Sequence, residues 1–227
     1  MKLFFTVFAF LFLTSNLLLP NDHKWQLVDS INVDSAYYYK CIDCYDEFNC
    51  VAFGSNKVPT YPGDTVINSN RFTTNGGQTW STSMVDSADA KTDYLPEPVI
   101  DVSYVSENLC IALCDRGRYF RSTDNCKTWE QDQVGIKDPA YYIFWNSKIK
   151  MLNEQYGAIT YSDELHITTD GGLTWDYISI NTPEEYTPLF FRDVSLPDEN
   201  TIIILSYNKE KRYYLLKSND KGISWQI

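Results

Sequence analysis

The chain has 227 residues, of which 44% are hydrophobic and 15% aromatic, and its formal net charge is −11. This composition is typical of a globular domain with a sizeable core and excludes a disordered or fibrous chain. The negative charge and the lack of a basic run argue against nucleic acid as a partner, because binding to phosphates needs clustered Lys and Arg.

The first predicted element is a leader. Lys2 precedes the apolar run LFFTVFAFLFL, and a second short apolar stretch ends at Pro20. The run is too short to span a bilayer and fits the hydrophobic region of a secretory signal. We therefore expect residues 1–20 to be a signal peptide and residues 21–227 to be secreted or periplasmic, with no membrane span after the leader. An uncleaved N-terminal anchor is the alternative.

Six cysteines in an exported chain favour disulfide bonding. Cys41 and Cys50 flank a short turn between two predicted strands, and facing cysteines of a hairpin lie at bridging distance. The sequence favours a Cys41–Cys50 bond, with Cys44–Cys50 as the alternative. Cys110 and Cys114 share one face of a later strand, which suits core packing. No metal site is expected, because the CxxC has no second pair and the chain has only 2 histidines.

Four octets with one shared pattern follow along the chain. Each reads hydroxyl, any residue, Asp or Asn, any residue, Gly, any residue, hydroxyl, Trp, and these are positions 1 to 8 below. The octets are residues 73–80, 122–129, 168–175 and 218–225, so they recur about every 50 residues. The residues that carry the pattern are Thr73, Asn75, Gly77 and Trp80; Ser122, Asp124 and Trp129; Thr168, Asp170, Gly172 and Trp175; and Ser218, Asp220, Gly222 and Trp225.

Each octet position has a physical role in a tight turn. The Asp or Asn side chain accepts backbone N–H groups, the glycine permits a positive φ, and the Trp buries a large ring. Cys126 replaces the glycine of the second octet. This departure predicts an altered turn there and an exposed thiol.

Each octet is also preceded by three strand-like runs and followed by an outer strand, in units of residues 33–85, 86–136, 137–181 and 182–227. In the first unit, a loose insertion is expected through Pro59 and Pro62. The predicted inner strands are residues 37–42, 50–53 and 71–72; 99–105, 109–114 and 118–121; 142–145 continuing to 151–152, 156–160 and 164–167; and 189–194, 201–205 and 213–216. The predicted outer strands include residues 130–134 and 177–180.

The octets resemble Asp boxes, also called bacterial neuraminidase repeats. These occur in sialidases, sortilin-type receptors, some cellulose and xyloglucan hydrolases, and photosystem II assembly-factor propellers. The resemblance covers nearly all of the chain after the leader and is nearest in unit length and box style to the assembly-factor family. It implies an all-β fold, a β-propeller of four-stranded antiparallel blades. It also implies that the boxes are structural and face away from the central binding surface.

The number of units predicts an incomplete propeller. Four blades are at the lower limit for the radial closure that hides strand edges, and relatives with Asp boxes usually have six or seven. The sequence also stops two residues after Trp225. We therefore expect about four blades of a six- or seven-bladed propeller. Residues 24–28, KWQLV, resemble the final WQI and are candidates for the edge strand of a last blade.

The resemblance is compatible with two functions, a binding scaffold and a glycoside hydrolase. Sialidases use three arginines, a Tyr/Glu pair and an Asp acid. Their Phe-Arg-Ile-Pro motif is absent from this sequence, and the most similar segment is Phe191-Arg192-Asp193. Arg71 and Arg121 lie just before octets and Arg192 lies on a first strand, and solvated strand edges are expected for all three, with a shared binding face as the alternative. His166 is expected at the surface or at a strand edge. With no catalytic residues or cofactors expected, the sequence favours a secreted scaffold whose loops bind a protein or glycan. The alternative is a sialidase-like glycoside hydrolase.

Overall fold

Short runs rich in β-branched and aromatic residues form four antiparallel sheets in chain order. The computed structural model describes residues 38–59, 64–86, 98–114, 117–135 and 147–227, all within one unit, Ile31–Ile227. The predicted signal peptide, the 24–28 strand and the 142–145 run lie outside the described residues.

The first sheet consists of β1 (Tyr38–Cys44), β2 (Cys50–Pro59), β3 (Asp64–Thr73) and β4 (Ser81–Asp86), and the second of β5 (Val99–Ser106), β6 (Leu109–Cys114), β7 (Arg118–Ser122) and β8 (Glu130–Gln133). The third consists of β9 (Lys148–Met151), β10 (Gly157–Tyr161), β11 (Glu164–Thr168) and β12 (Asp176–Ile178). The fourth consists of β13 (Phe190–Ser195), β14 (Ile202–Tyr207) and β15 (Tyr213–Ser218).

The all-β prediction is confirmed, with each octet directly after the third strand of a sheet. The fourth sheet has three strands, and Gln226 adds a single bridge to Lys217 at its outer edge. The first sheet differs from expectation in one respect. The insertion through Pro59 is not loose, because β2 and β3 pair continuously from Cys50 and Thr73 out to Pro59 and Asp64.

The sheets pack in order through their first strands, β1 on β5, β5 on β9 and β9 on β13. Polar groups join these central strands at equivalent points. The carboxylate of Asp43 accepts the N–H of Tyr104 at 2.8 Å, and the Ser103 hydroxyl accepts the N–H of Met151 at 3.0 Å. Side chains from each pair of neighbouring sheets fill one core cluster between them. The chain is therefore a fan of sheets around a common axis, as in a β-propeller.

Among the described residues, no further sheet covers either end of this fan. Leu113 and Tyr119 lie opposite each other on the second sheet and are buried. The equivalent facing pair on the fourth sheet, Leu205 and Leu215, is 37% and 62% exposed. On the first sheet, Ile42 is 64% exposed. Among the described strands, β13 and β1 do not pack on each other as consecutive first strands do, so the propeller is incomplete.

The disulfide prediction requires a correction, because the structure joins Cys44 to Cys50 and leaves Cys41 as a thiol. Cys44 lies directly opposite Cys50, whereas Cys41 lies opposite Phe53. The Asp46 carboxylate accepts the N–H groups of the two residues before Cys50, which closes the hairpin turn immediately after Cys44. Burial, with a smaller contribution from Asp101, raises the pKa of the Cys41 thiol to about 12.

Within the described ranges, no helix is long and apolar enough to cross a membrane.

Candidate functional site

Every octet forms the same hydrogen-bonded corner after the third strand of its sheet. The position-1 hydroxyl donates to the position-3 side chain at 2.8–2.9 Å. The position-5 N–H donates to that hydroxyl at 2.8–3.1 Å. The position-7 N–H donates to position 3 at 2.8–3.0 Å. These polar groups therefore satisfy one another within eight residues.

The first octet keeps this geometry without a charge. In the three octets with Asp at position 3, the position-7 hydroxyl donates to the second carboxylate oxygen at 2.6–2.7 Å. In the first octet the direction reverses, and Asn75 Nδ2 donates to Thr79 Oγ1 at 2.8 Å. The reversal follows from chemistry, since an amide nitrogen donates and a carboxylate oxygen accepts.

A further bond fixes each octet to the turn between the first two strands of its own sheet. The position-4 N–H donates to a carbonyl of that turn at 2.8–2.9 Å in all four cases. The octets and these turns therefore share one face, the octet face. Among the described residues, the turn between β10 and β11 and the 179–189 link between the third and fourth sheets lie on the opposite face. The four pairs are Gly76 with Phe48, Asn125 with Glu107, Gly171 with Gln155, and Lys221 with Asn200.

Cys126 does not alter its corner, so the prediction of a changed turn and an exposed thiol is wrong. Its φ is 62°, against 79° at Gly172 and 90° at Gly222, and its N–H bonds Ser122 Oγ as the glycines do. The side chain is 0% exposed because it enters the core between the first two sheets.

The tryptophans at position 8 are half-buried against their surroundings. Trp129 lies edge-on to Phe53 of the first sheet at 5.2 Å between ring centroids, and its Nε1 donates to Ser83 Oγ at 3.1 Å. Trp175 lies edge-on to Tyr119 of the second sheet at 6.1 Å. These two rings therefore connect one sheet to the sheet before it.

The octet carboxylates are held ionised. Burial acts to raise the pKa of Asp170, but the hydrogen bonds from Thr174, Thr168 and Leu173 outweigh it and lower the pKa from 3.8 to about 2. For Asp124, the bonds from Thr128 likewise outweigh burial, and for Asp220 the bonds from Ser224 are the largest cause of a lowered pKa. These carboxylates serve as turn acceptors, a role that leaves them unsuited to act as acids at neutral pH.

A pH-dependent stability follows from the lowered pKa of Asp170. Its contribution to the free energy of unfolding is complete above the unfolded value of 3.8 and is lost as pH falls through about 2. Denaturant unfolding of the wild type and Asp170→Asn between these pH values checks this. The variant should lose less stability on acidification, because it has no carboxylate at this position to protonate. Equal losses in both proteins would contradict the assignment.

The candidate arginines have structural contacts. Arg121 Nε donates to the Gly171 carbonyl of the third octet at 2.8 Å, which joins the second and third sheets on the octet face. The Arg192 guanidinium carbon lies 5.0 Å from the centre of the Tyr207 ring on its own sheet. Arg71 is half-buried on β3. The expectation that Arg121 has a solvated strand-edge position is therefore wrong.

His166 is also placed differently from expectation. Its side chain is buried on β11, and Nε2 lies 2.9 Å from Oε2 of the buried Glu164. The ring of Tyr177 packs edge-on against it at 5.7 Å. Sequence reasoning missed this pair, although the i, i+2 spacing on one strand places both side chains on the same face.

The opposite face contains a cleft of about 240 Å³ at the boundary of the third and fourth sheets. The turn between β10 and β11 forms one wall and the 179–189 link forms the other. The Phe191 N–H donates to the Ser162 carbonyl at 2.5 Å, which holds the two walls together. The lining residues are Asp163, Tyr177, Ile180, Thr182, Thr187, Pro188, Leu189 and Phe191.

The cleft combines apolar walls with an acidic rim. Leu189 and Phe191 are buried, whereas Tyr177 is 40% exposed and presents part of its ring. Asp163, in the turn between β10 and β11, is the carboxylate among the lining residues. The exposed Glu184 and Glu185 lie on the 179–189 link. Apolar walls with few polar groups are typical of recognition sites. Within the part of the chain that the structure describes, no three His, Cys, Asp or Glu side chains group as metal ligands.

Solved structures support the fold. No protein-family model and no curated protein matches the sequence. The structure of YCF48 from Cyanidioschyzon merolae aligns over 85% of this chain and 85% of its own, with 11% identity and a TM-score of 0.51. Trypanosoma rangeli sialidase in complex with sialic acid aligns over 85% of this chain and 37% of its own, with 14% identity and a TM-score of 0.55.

A third structure, YCF48 bound to D1 peptide, aligns over 85% of this chain and 82% of its own, with 14% identity and a TM-score of 0.42. The two structures with TM-scores of 0.51 and 0.55 support a β-propeller fold, and at 11% and 14% identity they establish nothing about activity. The chain spans little more than a third of the sialidase that it resembles.

Proposed function

We propose that this chain is a secreted, non-catalytic β-propeller scaffold, built on Asp boxes, that binds a protein partner through the cleft on its opposite face. The observation that carries the proposal is the difference between the two faces. The octet face carries the corner hydrogen bonds and singly exposed apolar side chains such as Phe48, Leu173 and Ile223, whereas the opposite face holds a cleft with buried apolar walls and the exposed ring of Tyr177.

Charge favours a protein over an anionic glycan as the partner. The net charge is −11, Asp163 lines the cleft, and the exposed Glu184 and Glu185 lie in the chain between the lining residues Thr182 and Thr187. The 179–189 link contains no Lys or Arg. A carboxylate-bearing sugar would be repelled, whereas a segment with basic and apolar side chains would match both the rim and the walls.

Charge reversal at the rim tests this function. The wild type should bind basic, apolar peptides on an array, and Asp163→Lys should weaken that binding about tenfold, because the like charges then repel. Glu130→Lys is the matched control, since Glu130 is exposed on β8 and does not line the cleft. The control should bind as the wild type does.

Three outcomes would count against the proposal. Selective binding to a glycan array without any peptide binding would assign a sugar as the partner. Turnover of a fluorogenic sialoside above background would favour the sialidase-like alternative. Equal weakening by both lysine variants would show that the effect is not specific to the cleft.

A further inference from the structure

The second octet has a cysteine where the backbone favours glycine. Position 5 has a φ of 80° at Gly77, 79° at Gly172 and 90° at Gly222, and Cys126 adopts 62°. Such a φ is strained for an L-residue, because its Cβ crowds the backbone. A buried cysteine side chain does not itself favour a turn, so the turn does not explain why a cysteine occupies this position. The residues around the thiol must explain it.

The surroundings of Cys126 hold it rigidly. Its N–H bonds Ser122 Oγ at 3.1 Å, and its carbonyl accepts the hydroxyl of Ser83 at 3.0 Å and the amide of Asn70 at 3.5 Å. The corner is therefore fixed from its own strand and from the first sheet. The thiol has little freedom to leave the position that the backbone gives it.

A second cysteine lies directly beside it. Cys110 on β6 is opposite Ser122, the residue whose hydroxyl receives the Cys126 N–H. Both side chains are at most 1% exposed and belong to the same core cluster. Burial, and then the hydrogen bond between the two thiols, raise the pKa of Cys110 well above its usual range. The two thiols therefore lie within hydrogen-bonding reach of each other in a buried site.

We propose that Cys110 and Cys126 are joined by a disulfide bond in the mature protein, which ties the second octet to strand β6. The oxidant is a disulfide, either of an oxidoreductase or of a small thiol. One thiolate attacks the donor disulfide and forms a mixed disulfide; the other then displaces the donor thiolate. Two cysteine thiols and one donor disulfide give one protein disulfide and two donor thiols.

Because both thiols are buried, the exchange must take place during folding. A donor disulfide does not reach side chains that are 0% and 1% exposed, so the bond forms before the core between the first two sheets closes. The Cys44–Cys50 bond in the same chain fits an oxidising compartment. Cys114 does not compete, because it is four residues along β6 from Cys110, a separation of about 13 Å.

Thiol titration of the unfolded, unreduced protein gives a direct count. Of the six cysteines, the proposal leaves only Cys41 and Cys114 as thiols, whereas a single Cys44–Cys50 bond would leave four. Cys110→Ser should then show three thiols and the matched Cys114→Ser should show one. Four thiols in the wild type, or three in both variants, would overturn the proposal.

Peptide mapping of the wild type keeps the test independent of how the variants fold. Tryptic cleavage separates the 92–116 peptide, which holds Cys110 and Cys114, from the 122–127 peptide, which holds Cys126. Without reduction, mass spectrometry should find these two peptides linked, and the link should persist in Cys114→Ser. Alkylated Cys126, or a link from Cys126 to the peptide that contains Cys41, would refute the pairing.

Discussion

Replacing Gly172 with alanine should lower the free energy of unfolding by about 3 kcal/mol. Two effects combine at this position. The φ of +79° is strained for any residue with a Cβ. A Cβ would also lie 2.5 Å from Ile111 Cδ1, and Ile111 is fully buried in the second sheet. The methyl group would therefore press the third sheet away from the second.

The second octet indicates how to separate these effects. Cys126 carries a Cβ at the equivalent position, and the residue equivalent to Ile111 in the sheet before it is the smaller Val51. The double variant Gly172→Ala with Ile111→Val should therefore be about 1 kcal/mol more stable than the sum of the two single losses predicts, because the valine removes the clash while the backbone strain remains.

Denaturant unfolding of the single and double variants measures this coupling. Gly135→Ala is the control, because no atom lies within 4 Å of its added Cβ. Its stability should stay within about 0.5 kcal/mol of the wild type. If Gly172→Ala were as stable as this control, the packing described for the corner would be contradicted.

Replacing Asp170 with alanine should lower the free energy of unfolding by about 2 kcal/mol. The carboxylate accepts the hydroxyls of Thr168 and Thr174 and the N–H groups of Leu173 and Thr174, at 2.6–3.1 Å. Alanine leaves these donors without their acceptor. The loss should appear as a lower urea midpoint with an unchanged m-value.

Asp170→Asn is the matched variant, because Asn75 fills this position in the first octet. The amide can accept the N–H of Thr174 and donate to its hydroxyl, so its loss should be about half that of alanine. If asparagine and alanine were equally harmful, the charge, and not the hydrogen-bond geometry, would carry the stabilisation.

The strands and corners could be predicted because they are local. In the second unit, the runs at residues 99–105 and 109–114 differ from β5 and β6 by at most one residue. Period-two patterning and turn residues act within a few positions of the chain, so a single sequence is enough to recognise them.

Features that join two repeats could not be predicted in this way. The bond from Arg121 to Gly171 links residues 50 positions apart, and nothing local to Arg121 distinguishes it from a solvated side chain. The burial of Cys126 likewise depends on the first sheet, which the octet pattern does not describe.

The disulfide error has a local cause. The predicted first strand ends at residue 42, whereas β1 continues to Cys44 because Asp46 accepts neighbouring N–H groups and closes the turn over fewer residues. The register that this turn sets runs unbroken from Cys44 opposite Cys50 to Cys41 opposite Phe53, so Cys41 is three residues too far along the strand to reach Cys50.

Each position-4 N–H bonds the turn ahead of β2, β6, β10 or β14, and these bonds all lie on the octet face. Sequence change on the opposite face therefore does not affect them. Because the corners are secured on one side of the molecule, substitutions in the 179–189 link or the Ser162-Asp163 turn leave those bonds intact. The scaffold can therefore acquire new specificities by altering one surface while its architecture stays the same.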